Sequence, residues 1–146
     1  MGKYIGESVL RKEDPRLVTG EAKYLEDIQL PGMVHAAVKR SDYAHAKIKK
    51  IDTSEAEKMS GVLGVWTGKD FEDINPMPCA WQAGGITNNA NTPRVLEIDK
   101  VTFTGQGVAV VVAEDRNTAE DASSKIIVDY EELPVVISAE DAIKPE

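Results

Sequence analysis

Few residues in this sequence stand out as types that do chemistry: two histidines, one cysteine, a pair of glycines around Gln106, and some adjacent acid pairs. The glycines sit in "TGQGVAVVVAED" (104–115). A G-x-G there invites comparison with a dinucleotide-binding loop. That loop needs a strand, then G-x-G-x-x-G, then a helix, so that a pyrophosphate meets the helix N-terminus. Here Gly105 and Gly107 precede the apolar run, and the third glycine position is Val110. Six consecutive Val and Ala residues make a buried strand rather than the opening of a helix. A hairpin turn between "KVTF" and "VAVVVA" accounts for both glycines by backbone conformation alone. A P-loop is excluded because no Gly-Lys-Ser/Thr occurs.

At the tip of such a hairpin, the Gln106 amide would offer one acceptor and two donors. It would turn these to water as an ordinary turn residue, or to a ligand or neighbouring domain. His35 and His45 stand ten residues apart beside different predicted strands, with no third ligand at zinc spacing. The first reads as a strand-edge residue and the second as a turn residue. Cys79 has no local base to activate it, so it reads as a partly covered loop cysteine. No G-x-S-x-G surrounds a serine. The pairs Glu26-Asp27, Glu114-Asp115 and Glu131-Glu132 lack the alternating oxygen ligands of a hard-cation loop, and read as caps and solvated faces. On the residues alone, no catalytic, cofactor-binding or metal site is expected.

The elements that would position these residues form a chain of 146 residues, one domain by length. A net charge of −8 repels phosphate backbones and anionic lipid, so neither nucleic acid nor membrane is an expected partner. One cysteine permits no internal disulfide, and the polar start carries no signal peptide, so the expected location is cytoplasmic. Residues 1–15 read as an extended segment. Strands are expected at 33–39 behind the Pro31-Gly32 turn, at 45–52 with Ile48 and Ile51 out of phase, and at 62–67. Further strands are expected at 95–103, 107–113, 126–133 and 134–138. Asp52 with Glu55 suggests a capping box on a short helix that Gly61 ends. Asp115 suggests the cap of a helix with Ala119 and Ala122 on its apolar face. Residues 72–93, rich in Pro, Asn and Gly, read as one long loop in which Met77, Cys79 and Trp81 need cover. Six to eight short strands with two or three short helices, out of regular βαβ order, define an α+β class with a mixed sheet.

The order of short motifs resembles the start of molybdenum hydroxylase large subunits, the xanthine dehydrogenase and aldehyde oxidase family. The matching pieces begin with Thr19-Gly20, Tyr24, Asp27, Pro31-Gly32, Arg40-Ser41, Ala44-His45-Ala46, Ile51-Asp52, Gly61-Val62 and Asp70. They continue with Gly105-Gln106, Val108-Ala109, Val112-Ala113, Ala119, Ala122, Tyr130-Glu131 and Leu133-Pro134. Gln106 is closest in style to the aerobic carbon monoxide dehydrogenase branch, while Gly107 departs from the Pro or Glu common in the family. The resemblance implies an N-terminal α/β hammerhead domain over 1–146.

It also implies that the molybdenum–pterin cofactor and the catalytic glutamate belong to longer segments that follow, so the chain by itself is expected to be inactive. The complete enzyme would oxidise an aldehyde, a heteroaromatic ring or carbon monoxide, with iron–sulfur and flavin partner subunits. The chain would then be a domain or split subunit with a structural and docking role. Gln106, Met77, Cys79 and Trp81 are the candidate contacts with the rest of the large subunit. The alternative is a free-standing interaction module of the same fold.

Overall fold

The computed structural model describes residues 5–77 and 92–144. The chain falls into two units, Met1–Met33 and Val34–Glu146. In the first, residues 8–11 are irregular and a single helical turn, α1 (Asp14–Val18), follows, started by a proline in its first turn. Thr19 Oγ1 donates to the carbonyl of Pro15 at 2.9 Å, and Gly20 turns the chain away at φ +75°. A 3₁₀ turn, Leu25–Asp27, is tied by the Asp27 carboxylate accepting from Tyr24 N at 2.9 Å.

The second unit holds the core and the six strands among the described residues: β1 (His35–Arg40), β2 (Ala46–Asp52), β3 (Val62–Thr67), β4 (Lys100–Val101), β5 (Gly107–Ala113) and β6 (Ile127–Glu132). They pair in two antiparallel sheets, one ordered β1-β5-β3 and the other β4-β2-β6. Three further short helices, α2 (Ser54–Glu57), α3 (Arg116–Lys125) and α4 (Ala139–Ala142), complete the α+β class expected.

Helix α3 forms where its N-cap, Asp115, accepts from Thr118 N at 2.9 Å and Thr118 Oγ1 at 2.6 Å. These bonds hold the Asp115 carboxyl below its ordinary range. The helix lays Ala119 and Ala122 on the first sheet, where Ala122, Ala56, Ala109, Val111 and Ile126 form one buried cluster. Small side chains at the contact let helix and sheet approach closely. Gly61, at φ +86°, ends the turn after α2, and its carbonyl accepts from Glu114 N at 2.9 Å.

The phase of the strands is set by bulges. In β2, Ile48 faces Tyr130 and Ile51 faces Val128, with the ladder shifted between Ile48 and Lys50. Lys49 is the extra residue, so the two isoleucines that look out of phase share one face. Both pack on a second cluster of Ala46, Val101 and Val108. In β5, Ala109 pairs with Lys39 but Gly107 pairs with Arg40, so Val108 is the extra residue and turns toward that second cluster.

Several expected elements differ. The strand expected at 95–103 is reduced to Lys100–Val101, because 94–99 runs as an irregular strap. The strand expected at 134–138 has no ladder partner, and Val135, Val136 and Ile137 are exposed. No capping box joins Asp52 to Glu55. Asp52 instead accepts from Ser54 N at 3.2 Å and Ser54 Oγ at 2.6 Å, while Glu55 pairs with Lys58. The hairpin around Gln106 is also absent, since β4 and β5 lie in different sheets.

Two outcomes test this packing. A Cβ on Gly68 would lie 2.6 Å from the Glu97 carbonyl and 2.8 Å from that of Leu96, backbone atoms that cannot step aside. Gly68→Ala is expected to lose about 2–3 kcal/mol in urea unfolding, against about 1 kcal/mol for Gly105→Ala, whose Cβ meets open space at a strained φ. Hydrogen bonds from Ser54, then Lys50, hold the Asp52 carboxyl down at about 2. A lowered folded-state value stabilises above the ordinary value of 3.8 and is lost as pH falls through the folded one. Asp52→Ala should therefore melt below the parent at pH 7, with the gap closing between about pH 4 and pH 2.

Candidate functional site

Gln106 stands where the chain leaves β4 in one sheet and enters β5 in the other. It is 5% exposed, so neither the solvated turn nor the hairpin tip describes it. Its side-chain oxygen accepts from Thr102 N at 2.7 Å and Thr102 Oγ1 at 3.3 Å. Its amide nitrogen donates to Glu97 Oε1 at 2.7 Å. The partners fix the amide's orientation, because a backbone N–H can only donate and the carboxylate only accept. Glu97 Oε1 also accepts from Arg94 N at 3.1 Å, which secures the strap.

The backbone of Gln106 continues the junction. Its carbonyl accepts from Ser41 N at 2.9 Å, and the Ser41 carbonyl accepts from Gly105 N at 2.8 Å. Arg40 Nη1 donates to the Gly105 carbonyl at 2.8 Å. Glu97 N donates to the Gly107 carbonyl at 2.9 Å. Gly105 takes φ +92°, the left-handed conformation this crossing requires. At Gly107 the constraint is space, since a Cβ would meet Val38 Cγ1 at 3.2 Å and Leu96 Cδ2 at 3.3 Å. Thus Arg40-Ser41 and Gly105-Gln106, far apart in sequence, form one knot. Of the knot, Gln106 lines an open cleft of about 430 Å³, together with its partners Glu97 and Thr102 and with Pro76, Thr92, Asp99 and Lys100.

A second junction ties the start of β2. His45 Nδ1 lies 2.7 Å from the Pro134 carbonyl, a contact that needs the proton on Nδ1. The His45 carbonyl accepts from Leu133 N at 2.9 Å. The Tyr43 and Tyr130 rings meet at 5.0 Å between centroids. The Tyr130 hydroxyl is buried, and burial pushes its phenol up. His35 opens β1 in the other sheet, so the two histidines serve different sheets.

Of the remaining candidates, Met77 is exposed, whereas Cys79 and Trp81 lie outside the described residues. The acid pairs are engaged locally: Asp27 and Asp115 cap, and Glu131 pairs with Lys49 and Lys47, which hold its carboxyl below the ordinary range. Among the described residues no three of His, Cys, Asp and Glu stand together to hold a metal ion. The donors that remain do not fit a molybdenum centre: the Gln106 oxygen and the Glu97 carboxylate serve the junction, and His45 Nδ1 serves Pro134. Sequence reasoning missed Glu97 and Thr102. The available signal was Glu97 itself, an acid isolated in the apolar run "VLEI".

Residues 19–134 match the family described as aldehyde oxidase and xanthine dehydrogenase, a/b hammerhead domain, and the chain belongs to that family. It is 42% identical over 135 residues to the carbon monoxide dehydrogenase large chain of Hydrogenophaga pseudoflava, covering 92% of this chain and 16% of that one. Among solved structures, it resembles quinoline 2-oxidoreductase from Pseudomonas putida 86 at a TM-score of 0.84 and 42% identity, over 97% of this chain and 18% of that one. A Cu,Mo-CO dehydrogenase gives 0.80 and 40%, over 97% and 17%. The chain thus spans less than a fifth of the length of these relatives. No described helix is long and apolar enough to cross a membrane.

The junction makes a graded prediction. Gln106→Leu leaves Thr102 N and the Glu97 carboxylate without their partner and should cost about 2–4 kcal/mol in chemical unfolding. Glu97→Gln keeps an acceptor for both Gln106 and Arg94 and should cost under about 1 kcal/mol. Similar losses for the two variants would show that the buried amide does not hold the sheets together.

Proposed function

We propose that this chain is the hammerhead part of a molybdenum hydroxylase large subunit, an oxidoreductase acting on an aldehyde, a heteroaromatic ring or carbon monoxide. The observation that carries the reading is similarity along nearly the whole chain to less than a fifth of each relative. A likeness so placed supports one domain, or a split subunit, within a larger enzyme. Its role is structural and partner-docking. The molybdenum–pterin cofactor and the catalytic groups belong to other segments of the large subunit, and iron–sulfur and flavin subunits carry the electrons away.

Within this role Gln106 acts from inside, by fixing the strap 94–99 and the lip of the cleft. Met77, at the edge of the Pro- and Asn-rich stretch, is a direct contact, and Trp81 and Cys79 are proposed with it. The site is cytoplasmic on this reading. The chain itself supplies no proton transfer to the reaction; it holds neighbouring segments in place and excludes water from the faces they cover.

The test is recovery of the polypeptide carrying this sequence from its source cells through an antibody to the chain. Molybdenum measured by mass spectrometry should co-elute with it, together with dye-linked oxidation of an aldehyde, an N-heteroaromatic ring or carbon monoxide. The chain produced alone should show neither. A recovered pool free of molybdenum and of dehydrogenase activity would overturn the assignment in favour of a free-standing module.

A further inference from the structure

In an antiparallel sheet with one face on the core and one in water, side chains alternate apolar and polar. Strand β5 does not alternate. Its Val108–Ala113 run is wholly apolar, as in strands covered on both faces. Yet α3 covers one face only, the one bearing Ala109 and Val111. On the opposite face the ladder sets Val38, Val110 and Trp66 in one rung and Ala36, Val112 and Gly64 in the next. Val38 is 39% exposed and Trp66 37%. The Trp66 ring lies flat over Gly64, where a Cβ would come within 2.4 Å of it. Neither rung contains a charged residue.

We infer that this face, centred on Val38, Val110 and Trp66, is the seat of another segment of the large subunit; this rests on the function proposed above. The occupant must be apolar, because a charge placed there would be desolvated without a partner. The face is also small. Two rungs across three strands span on the order of 200 Å², well short of the ~800 Å² per partner that a free association needs. A second copy of the chain gains too little from it. The remainder of the large subunit, more than four-fifths of the length in the relatives, is held by other contacts as well, and a small dry patch then suffices.

The test produces the chain together with the molybdenum-binding remainder of its own large subunit as a separate tagged polypeptide. In a Trp81→Phe background Trp66 is this chain's sole tryptophan, and incorporating it as 7-azatryptophan in this chain alone, excited to the red of ordinary tryptophan, separates its emission from the partner's. On assembly its emission should shift to the blue and become protected from iodide quenching. Val38→Glu, which in the lone chain turns its charge to water, should reduce the recovered complex roughly tenfold. The exposed control Ile127→Glu, on β6, should assemble normally. If Val38→Glu fails to fold, the Trp66 quenching decides alone.

A complex in which Trp66 remains as quenchable as in the free chain, or which Val38→Glu leaves intact, overturns the face while the proposed function stands. A parent chain that self-associates at the same concentration, and ceases to with Val38→Glu, overturns the occupant. A parent chain that forms no complex at all overturns both this inference and the function on which it rests.

Discussion

Taking the amide of Gln106 out of water is tolerable only because the surrounding chain supplies its hydrogen bonds, and supplying them forces four segments together. The turn 102–106, the strap 94–97, the end of β1 and the start of β5 must all be in register before the amide is satisfied. Hydrogen bonds to a charged carboxylate are stronger than neutral ones and costly to leave half-made. The junction is therefore a condition on the fold more than an addition to it. With it formed, the two sheets meet at a fixed angle and Val108 is carried to the cluster shared by Ala46 and Val101.

What the sequence made legible was local. Asp115 and Thr118 are three residues apart, and Gly61 declares its own backbone conformation. The alanines of α3 repeat at helical spacing, and the strand at 107–113 follows from an uninterrupted apolar run. What failed was the choice of partners. A Gly-Gln-Gly between two apolar stretches reads equally well as a hairpin and as a crossing between sheets, because both need the same positive φ. Only the ladder partners decide, and those lie at Ala46 and Val38, more than fifty residues away. The segment 134–138 misled for a related reason: Val and Ile favour extended backbone, but extended backbone becomes a strand only when a neighbour accepts its hydrogen bonds.

The candidate site was partly visible in the same way. Gln106 stood out by position, and its companions Arg40 and Ser41 by resemblance, but nothing in the linear order joined them. Glu97 went unremarked because an acid within an expected strand passes for a solvent-facing residue. Its burial partner is nine residues on, across a change of sheet, so only the folded chain brings the two together. The family motifs here mark joints: Ser41 with Gln106, His45 with Pro134, Gly61 with Glu114. Motifs of this kind report how a scaffold is fastened, and that agrees with the structural role proposed above.

The bulges at Lys49, Val108 and Leu63 carry a consequence for how length is counted in this fold. Beyond each one, every later side chain in the strand has changed face relative to an unbroken ladder. Removing Lys49 would straighten β2 and leave Ile48 opposite Tyr130 and Ile51 opposite Val128, still on one face. A substitution at the same position would alter one exposed lysine and little else. The bulges are thus places where a strand can lose a residue without turning its interior out, and sequences aligned without a gap there would assign the later side chains to the wrong face.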